Sequence, residues 1–413
     1  MSERPSSFVS EQRLWQRHVD MARIGATAAG GVNRQALSAE DAQAQAELAR
    51  WGEAFGLVAS RDAVGNLFLR MAGTDPTAAP VLSGSHLDSQ PTGGRFDGVY
   101  GVLAALEAVQ AIREAGVVTT HPIEVVAWMN EEGSRFAPGM MGSAVFAGDR
   151  TLDETAAAVD AAGISVGAAL ADVAARLAHI PLRPLGGPVH AYVEAHIEQG
   201  PVLEREGFPV GIVTGIQGKH TFRVEVQGEA AHAGTSQRHE RKDALLAATA
   251  MVQALAAEMH DAGDVVKFTI GRFEVLPNAP SVVASKVVFS IDLRHPDSDT
   301  LRALSARIAP ICEAHRGPCT VRVQRLSAAD SLHFPEALRA LARAVADRLG
   351  IAHRDLPSAA GHDARYLHAV TPSAMLFVPC HLGITHNEAE SAEPADLAAG
   401  ARVLADLLVA LAR

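Results

Sequence analysis

Cysteine is scarce in this sequence: Cys312, Cys319 and Cys380 are the only three among 413 residues. The count is odd and no Cys-x-x-Cys spacing occurs, so neither a disulfide framework nor a thiolate zinc site is expected. A reducing compartment is the simplest reading. Long apolar runs are missing as well; the longest stretches carry charges or are too short to span a bilayer. The opening Met1-Ser2-Glu3-Arg4-Pro5 lacks the charged-then-apolar layout of a secretory leader. Positive charge is in deficit, with 36 Lys and Arg against 47 Asp and Glu and a net charge of −11. That balance argues against nucleic acid or an anionic membrane as the main partner. The glycine-rich Gly93-Gly94-Arg95-Phe96-Asp97-Gly98 has no Gly-Lys-Ser/Thr ending and is not a Walker-type phosphate loop. These exclusions leave a cytoplasmic enzyme as the expectation.

What is present is material for a large core: 48% hydrophobic and 20% charged residues. At roughly 100–200 residues per domain the length suggests two or three domains. Residues 1–10 read as a loose leader. Helices are expected near 14–24, at 38–55 with Ser38 as N-cap, at 99–115, 140–148 and 166–179. Strands are expected within 57–71, up to His86, up to Asn130 and at 190–196. This alternation marks an α/β sheet. The character changes near Gly215. A half-exposed strand at 221–227, a helix at 241–260, strands at 265–274 and 283–294, a helix at 298–316 and a strand at 320–326 make an α+β unit. A helix at 335–349, a strand at 373–379 and a helix at 394–411 then return to α/β material. The expected fold is therefore α/β, with a catalytic domain in two parts, 1–215 and 329–413, and an inserted α+β domain at 216–328.

The chemistry gathers where apolar runs end. Val81-Leu82 leads to His86-Leu87-Asp88, and Ile123 to Met129 leads to Asn130-Glu131-Glu132. Carboxyl ends of parallel strands are where such residues converge. His86 and Asp88 share a face if the strand continues, so Asp88 can hold the second ring nitrogen of a metal-binding His86. Alone, the pair also fits a polar loop. Asp97 fits a helix cap equally well, or a carboxylate bridging two ions. Glu131 and Glu132 are adjacent acids that repel unless a cation or proton lies between them. One can bind a metal while the other takes a proton from water. His196 and His386, each flanked by turn residues, add nitrogen ligands of the kind zinc, manganese, cobalt or nickel accept.

Taken together these motifs resemble the M20 clan of binuclear metal amidohydrolases and peptidases. More narrowly they resemble its hydantoinase/carbamoylase branch of N-carbamoyl-L-amino-acid hydrolases, beta-ureidopropionases and allantoate amidohydrolases. The likeness rests on Ile24-Gly25-Ala26-Thr27, Gly30-Gly31-Val32-Asn33-Arg34, Gly84-Ser85-His86-Leu87-Asp88-Ser89, Gly93 to Gly98, Asn130 to Phe136 and Glu194-Ala195-His196-Ile197-Glu198-Gln199-Gly200. It covers nearly the whole chain. It implies a metallopeptidase-like catalytic domain, an inserted lid and dimerisation domain, and two divalent ions per subunit (Zn, Mn, Co or Ni). By resemblance His86 and Glu132 bind different ions, Asp97 bridges, His196 completes one site and His386 the other. Glu131 becomes the general base and Asp88 orients His86.

The same resemblance makes His232 an oxyanion stabiliser reaching a partner's active site in a homodimer. Asn278 becomes a polar substrate contact and Arg294 the clamp for a substrate carboxylate. Gln199 and the Gly361-His362-Asp363-Ala364 loop would line the pocket. The stretch from Cys380 to Glu390, with Glu388 where other members often have proline, resembles the carbamoylase version. The implied substrate is a small ureido compound bearing a carboxylate, an N-carbamoyl amino acid. The rivals are hydrolysis of allantoate, cleavage of an ordinary amide by an M20 aminoacylase or exopeptidase, and a non-catalytic binding role.

Overall fold

A computed structural model describes residues 4–413. The chain divides into two compact units, one made of residues up to Thr214 together with Phe334–Arg413, the other of Gly215–His333. In chain order the strands are β1 (Val58–Arg61), β2 (Leu67–Met71), β3 (Val81–His86), β4 (Ile123–Trp128), β5 (Ala191–Ile197), β6 (Val210–Ile216), β7 (Gly218–Gln227) and β8 (Ala231–His232). They continue as β9 (Lys267–Thr269), β10 (Phe273–Leu276), β11 (Val282–Val283), β12 (Lys286–His295), β13 (Thr320–Ala329), β14 (Leu332–His333), β15 (His353–Ser358) and β16 (Ser373–Val378).

The first unit is built on a mixed sheet ordered β1-β2-β4-β3-β5-β16-β6. Its centre, β4-β3-β5-β16, is parallel, while β1, β2 and β6 pair antiparallel. Every residue of β3, β4, β5 and β16 is buried, as expected of parallel strands covered on both faces. The helix Val99–Glu114 follows β3 and is buried over most of its length. Its one inward acid, Glu107, takes Arg13 at 2.7 Å, Arg17 at 3.2 Å and the backbone N–H of Ser10 at 2.7 Å. This ties the first helix, Glu11–Met21, to the core. Ser38 caps the helix Ala39–Glu53 by accepting the Asp41 N–H at 3.1 Å, the role its sequence position suggests.

The segment 1–10 is no loose leader where it is described. Pro5 and Ser6 are buried, and the Ser6 backbone N–H and hydroxyl donate to Asp406 at 3.0 and 3.1 Å. Residues 1–3 lie outside the described residues. Strands β6 and β15 carry no clear periodic signal: β6 is broken by glycines, and β15 reads His-Arg-Asp-Leu-Pro-Ser.

The second unit is an antiparallel sheet ordered β10-β12-β7-β13, with β9 also pairing β12. Strand β7 alternates buried and half-exposed residues along its length. Its inward face meets the helices Ala244–Glu258 and Ser298–Ala314 through Val224, Val226, Phe289, Met251, Leu255 and Ile308. The first of these helices starts later than expected because Asp243 accepts the N–H groups of Leu245 and Leu246 at 3.0 and 3.1 Å. The strand expected at 265–274 is two, β9 and β10, parted at Gly271, as glycine inside a strand favours. The chain returns to the first unit at 333/334 and not near 328, since β13 runs on through Ala329. Among the described residues no helix is long and apolar enough to cross a membrane.

Replacing Glu107 by Ala would leave the Arg13 and Arg17 guanidinium groups without their buried partner. The expected loss of unfolding free energy is about 3–5 kcal/mol, read from urea denaturation; a loss below about 1 kcal/mol would contradict the assignment of Glu107 as the anchor of the first helix.

Candidate metal centre

The four parallel strands of the first unit end along one edge, and each delivers a ligand-type side chain there. His86 is the last residue of β3, Glu131 and Glu132 follow β4, His196 lies near the end of β5, and His386 stands in the loop after β16. Asp97 arrives from the loop between β3 and the helix Val99–Glu114. Gly98 closes that loop at φ +67°, where a Cβ would sit 2.3 Å from the His86 ring; only glycine lets the backbone come so near. Asn130, Gln199 and His386 also adopt positive φ, at 55°, 57° and 52°. Non-glycine residues in this conformation mark backbone held by its surroundings, and they gather at functional sites.

The Asp97 carboxylate organises the cluster. Its Oδ1 faces His196 Nε2 at 3.3 Å and His86 Nε2 at 3.9 Å. Its Oδ2 faces His386 Nε2 at 3.2 Å, and the same nitrogen lies 3.3 Å from Glu132 Oε2. Two groups of donor atoms therefore share one carboxylate: His86, Asp97, His196 on one side and Asp97, Glu132, His386 on the other. The ring tautomers suit ligation. His86 Nδ1 lies 2.9 Å from the Asp88 carbonyl and His196 Nδ1 lies 2.9 Å from the Ile197 carbonyl, so each Nδ1 carries the proton and leaves a lone pair on Nε2.

Asp88 departs from the role expected of it. The Asp88 carboxylate does not hold the His86 ring; it stays 3.7 Å away, and the main-chain carbonyl of Asp88 takes that place. The carboxylate instead accepts the backbone N–H groups of Glu131 and Glu132, each at 3.2 Å. The turn after β3 points the side chain toward the β4 loop, where a strand continuing past His86 would have aimed it at the ring. Glu131 Oε2 lies 3.6 Å from His86 Nε2. Gln199 donates to Asp97 Oδ2 at 2.9 Å, and Gly361 is exposed beside buried His362 and Asp363.

Several participants were not singled out from sequence. Thr385 donates to Asp97 Oδ2 at 2.7 Å and Gln90 to Glu132 at 2.7 Å. Glu390 accepts the N–H groups of Phe96 and Asp97 at 2.8 and 3.1 Å. Glu194, His196 and His362 form a further buried group. There Glu194 already accepts Ser85 at 2.7 Å and the Ala364 N–H at 2.9 Å, His362 meets Ser358 at 2.8 Å, and the His362 ring packs edge-on against the His196 ring with centroids 4.6 Å apart. Glu194 and Glu390 stand inside recognisable motifs, but nothing in residue type distinguishes a buried acid from an exposed one.

The electrostatics favour a cation. Burial and then Asp97 push Glu132 up to about 8, and burial pushes Asp88 up to about 7 and Glu390 up to about 7. Burial, then Asp363 and Glu132, raise Glu131 well above the usual carboxylate range. Burial would raise Asp97 too, but the His386 hydrogen bond and the nearby His196 and His86 outweigh it and hold that carboxyl low. Acids crowded out of water resist ionising unless positive charge joins them. The mixed nitrogen and oxygen donors, two histidines with the Nε2 lone pair turned to the cluster, and this unmet negative charge fit divalent metal ions, although His196 Nε2 also accepts the Gly98 N–H at 3.2 Å.

The second unit carries the other expected residues. His232 is exposed on β8, its Nδ1 accepting the N–H groups of Gly234 and Thr235 at 3.0 and 3.2 Å. Asn278 is exposed at φ +57° in the turn between β10 and β11. Since β11 pairs Val282 with His232, these two residues belong to the same end of the unit. Arg294 lies near the other end of β12, opposite Lys219, and its guanidinium grips Asp292 at 2.8 and 3.1 Å. From Lys286 to Arg294 the strand rises about 26 Å.

The profile of peptidase family M20/M25/M40 matches residues 82–410. The chain belongs to that family. As a member it is a hydrolase of carbon–nitrogen bonds. An N-carbamoyl-L-amino-acid amidohydrolase of Rhizobium meliloti is 42% identical over 404 residues, 96% of this chain and 95% of that protein. An allantoate amidohydrolase of Bacillus subtilis is 34% identical over 95% of each chain. The crystal structure of a hydantoinase/carbamoylase family amidase from Burkholderia multivorans matches with TM-score 0.89 and 42% identity, covering 98% of this chain and 99% of that one. The mixed α/β architecture of this M20 member is thus shared with solved hydantoinase/carbamoylase structures.

Raised carboxyls set a pH signature for the metal-stripped protein. Between the ordinary carboxylate range and about 8, the folded state keeps protons on Glu132 and Asp88 that the unfolded chain has released. Their contribution to stability is therefore fully present only below the ordinary carboxylate range and is lost as pH rises through about 7 for Asp88 and about 8 for Glu132. Added divalent cation restores it at pH 8. Thermal melts of chelated wild type and Glu132→Gln at pH 5 and pH 8, with and without manganese, check this: wild type should lose more stability, or gain less, between the two pH values than the variant, and an equal change in both would contradict it.

Proposed function

We propose that this chain hydrolyses the ureido C–N bond of N-carbamoyl-L-amino acids, releasing the amino acid, carbon dioxide and ammonia. The observation that carries the reading is the Asp97 carboxylate, whose two oxygens each face a separate histidine-containing group, in a chain 42% identical to a carbamoyl-amino-acid amidohydrolase. Two divalent ions per subunit, of zinc, manganese, cobalt or nickel, would be held by His86, Asp97 and His196 and by Asp97, Glu132 and His386. Such ions acidify water and polarise a scissile carbonyl.

The chain's own residues do the rest. Glu131, beside the His86 edge of the cluster, takes the proton from the attacking water and delivers it to the leaving nitrogen. Asp88 fixes the backbone of both Glu131 and Glu132. Arg294 holds the substrate carboxylate with its planar fork, exchanging Asp292 for it or sharing it. His232 steadies the charge that develops on the carbamoyl oxygen, and Asn278 adds a polar contact.

The length of β12 supports a homodimer joined through the second unit, in the same cytoplasmic setting the composition suggests. His232 and Asn278 stand at one end of that strand and Arg294 at the other, too far apart for one small substrate to meet all three on a single copy. We infer that His232 and Asn278 act on substrate bound by a second copy's Arg294 and metal groups. The allantoate reading keeps the same machinery and is supported by the 34% identical relative; the higher identity to the carbamoyl enzyme favours the first.

Ammonia release from a panel of N-carbamoyl-L-amino acids, N-carbamoyl-beta-alanine and allantoate, with manganese, zinc, cobalt or nickel added, tests the substrate class. Release from none of the ureido compounds would move the reading to peptide or acyl-amino-acid cleavage. Glu131→Gln is expected to lower kcat by about 10²–10⁴ with metal content nearly unchanged. His232→Ala and Glu131→Gln, each inactive alone, should recover about a quarter of wild-type activity when mixed and reassembled as hybrid dimers; no recovery would place His232 in its own subunit's site or outside catalysis.

A further inference from the structure

The early motifs Ile24-Gly25-Ala26-Thr27 and Gly30-Gly31-Val32-Asn33-Arg34 take no part in the chemistry above, and they precede residues 82–410 that the family profile matches. They nevertheless touch three of the loops that carry ligand-type side chains. Val32 and Gly93 exchange backbone hydrogen bonds of 2.9 Å in each direction, and Arg95 Nε donates to the Gly30 carbonyl at 2.6 Å, so the Asp97 loop is stitched along one side. The Thr27 hydroxyl donates to Glu388, two residues from His386. Gly31 packs between these two loops: a Cβ there would stand 2.4 Å from the Gly93 carbonyl oxygen and 2.6 Å from Glu388 Cγ.

Arg34 serves the third loop. It is 1% exposed. Its Nε donates to the Leu87 carbonyl at 2.7 Å, and its Nη1 donates to the carbonyls of Met21 and Ile24 at 3.0 and 2.8 Å. Its own backbone N–H and carbonyl engage Ser89, each at 2.9 Å. Leu87 sits between His86 and Asp88. The chain of contacts therefore runs from the end of the first helix, through the guanidinium, to Leu87, next to Asp88, whose carbonyl meets His86 Nδ1 and whose carboxylate accepts the Glu131 and Glu132 N–H groups. A guanidinium reaches such separated acceptors at once because its donors form a rigid fork; an ammonium on a flexible stem does not.

We propose that segment 25–34 is a clasp that sets the positions of the ligand side chains. Arg34 is the positioning residue for the His86, Asp97, His196 group, and Thr27, through Glu388, for the Asp97, Glu132, His386 group. Neither touches substrate or metal. The assignment rests on the two-cation reading of the centre.

The test measures metal binding by the full-length protein, stripped by chelator and titrated with cobalt alone, followed by equilibrium dialysis and the visible Co²⁺ spectrum. Melting temperatures of the stripped forms are measured alongside. Wild type is expected to take up two ions, with His86→Ala and His386→Ala each losing one and so labelling the sites. Arg34→Lys should weaken the ion assigned by His86→Ala by about 10–100-fold, and Thr27→Val the ion assigned by His386→Ala, the cost usual for groups that orient ligands. Thr27 is half-buried, so its variant carries the test if Arg34→Lys fails to fold. Wild-type affinity for both ions in folded variants would overturn the clasp while leaving the two-cation reading intact. Equal weakening of both ions together with a fall in the stripped melting temperature would assign the segment to general stability and also overturn it. A wild-type chain that binds no cobalt would remove the two-cation reading itself, and the clasp with it.

Discussion

Negative charge held out of water is the constraint around which the first unit is arranged. Asp88, Asp97, Glu131, Glu132 and Glu390 are packed at one sheet edge, and burial alone would push most of them to take up protons. The chain answers with fixed dipoles. Backbone N–H groups of Phe96 and Asp97 meet Glu390, those of Glu131 and Glu132 meet Asp88, and Thr385 and Gln199 meet Asp97. These donors orient the acids without cancelling their charge. What remains is a site whose geometry is set by the protein and whose charge is suited to divalent cations.

The parallel centre of the sheet makes that arrangement possible. Neighbouring parallel strands end on the same edge, and β4 and β5 leave β3 on opposite sides, so loops from both directions face one crevice. The loops must then turn back sharply. Gly98 does so at no steric cost, whereas Asn130, Gln199 and His386 do so in a conformation that side chains disfavour. The clasp at 25–34 belongs to the same logic, since loops that carry metal ligands need support from outside the strands that deliver them.

The second unit solves a different problem. Its antiparallel sheet and two helices form an independent core, and β12 acts as a ruler that separates Arg294 from the ribbon bearing His232 and Asn278. A small substrate is shorter than this ruler, which makes the separation itself an argument about assembly.

Legible along the chain alone were the ligand-type residues, their place after apolar runs, the α/β alternation and the change of character near Gly215. These are local properties: a buried strand must be apolar, and a polar cluster at its end is visible in one dimension. Tertiary structure decided the rest. It made Asp88 a backbone acceptor where a ring partner was expected, buried Glu390 under the Asp97 loop, and drew the first ten residues onto the core as far as they are described. It also gave β6 and β15 their places, although glycines and polar residues hide them in sequence. Hydrogen-bond partners and burial depend on segments hundreds of residues apart, as Phe96 and Glu390 are, and no local pattern encodes which of two chemically identical acids will end up out of water.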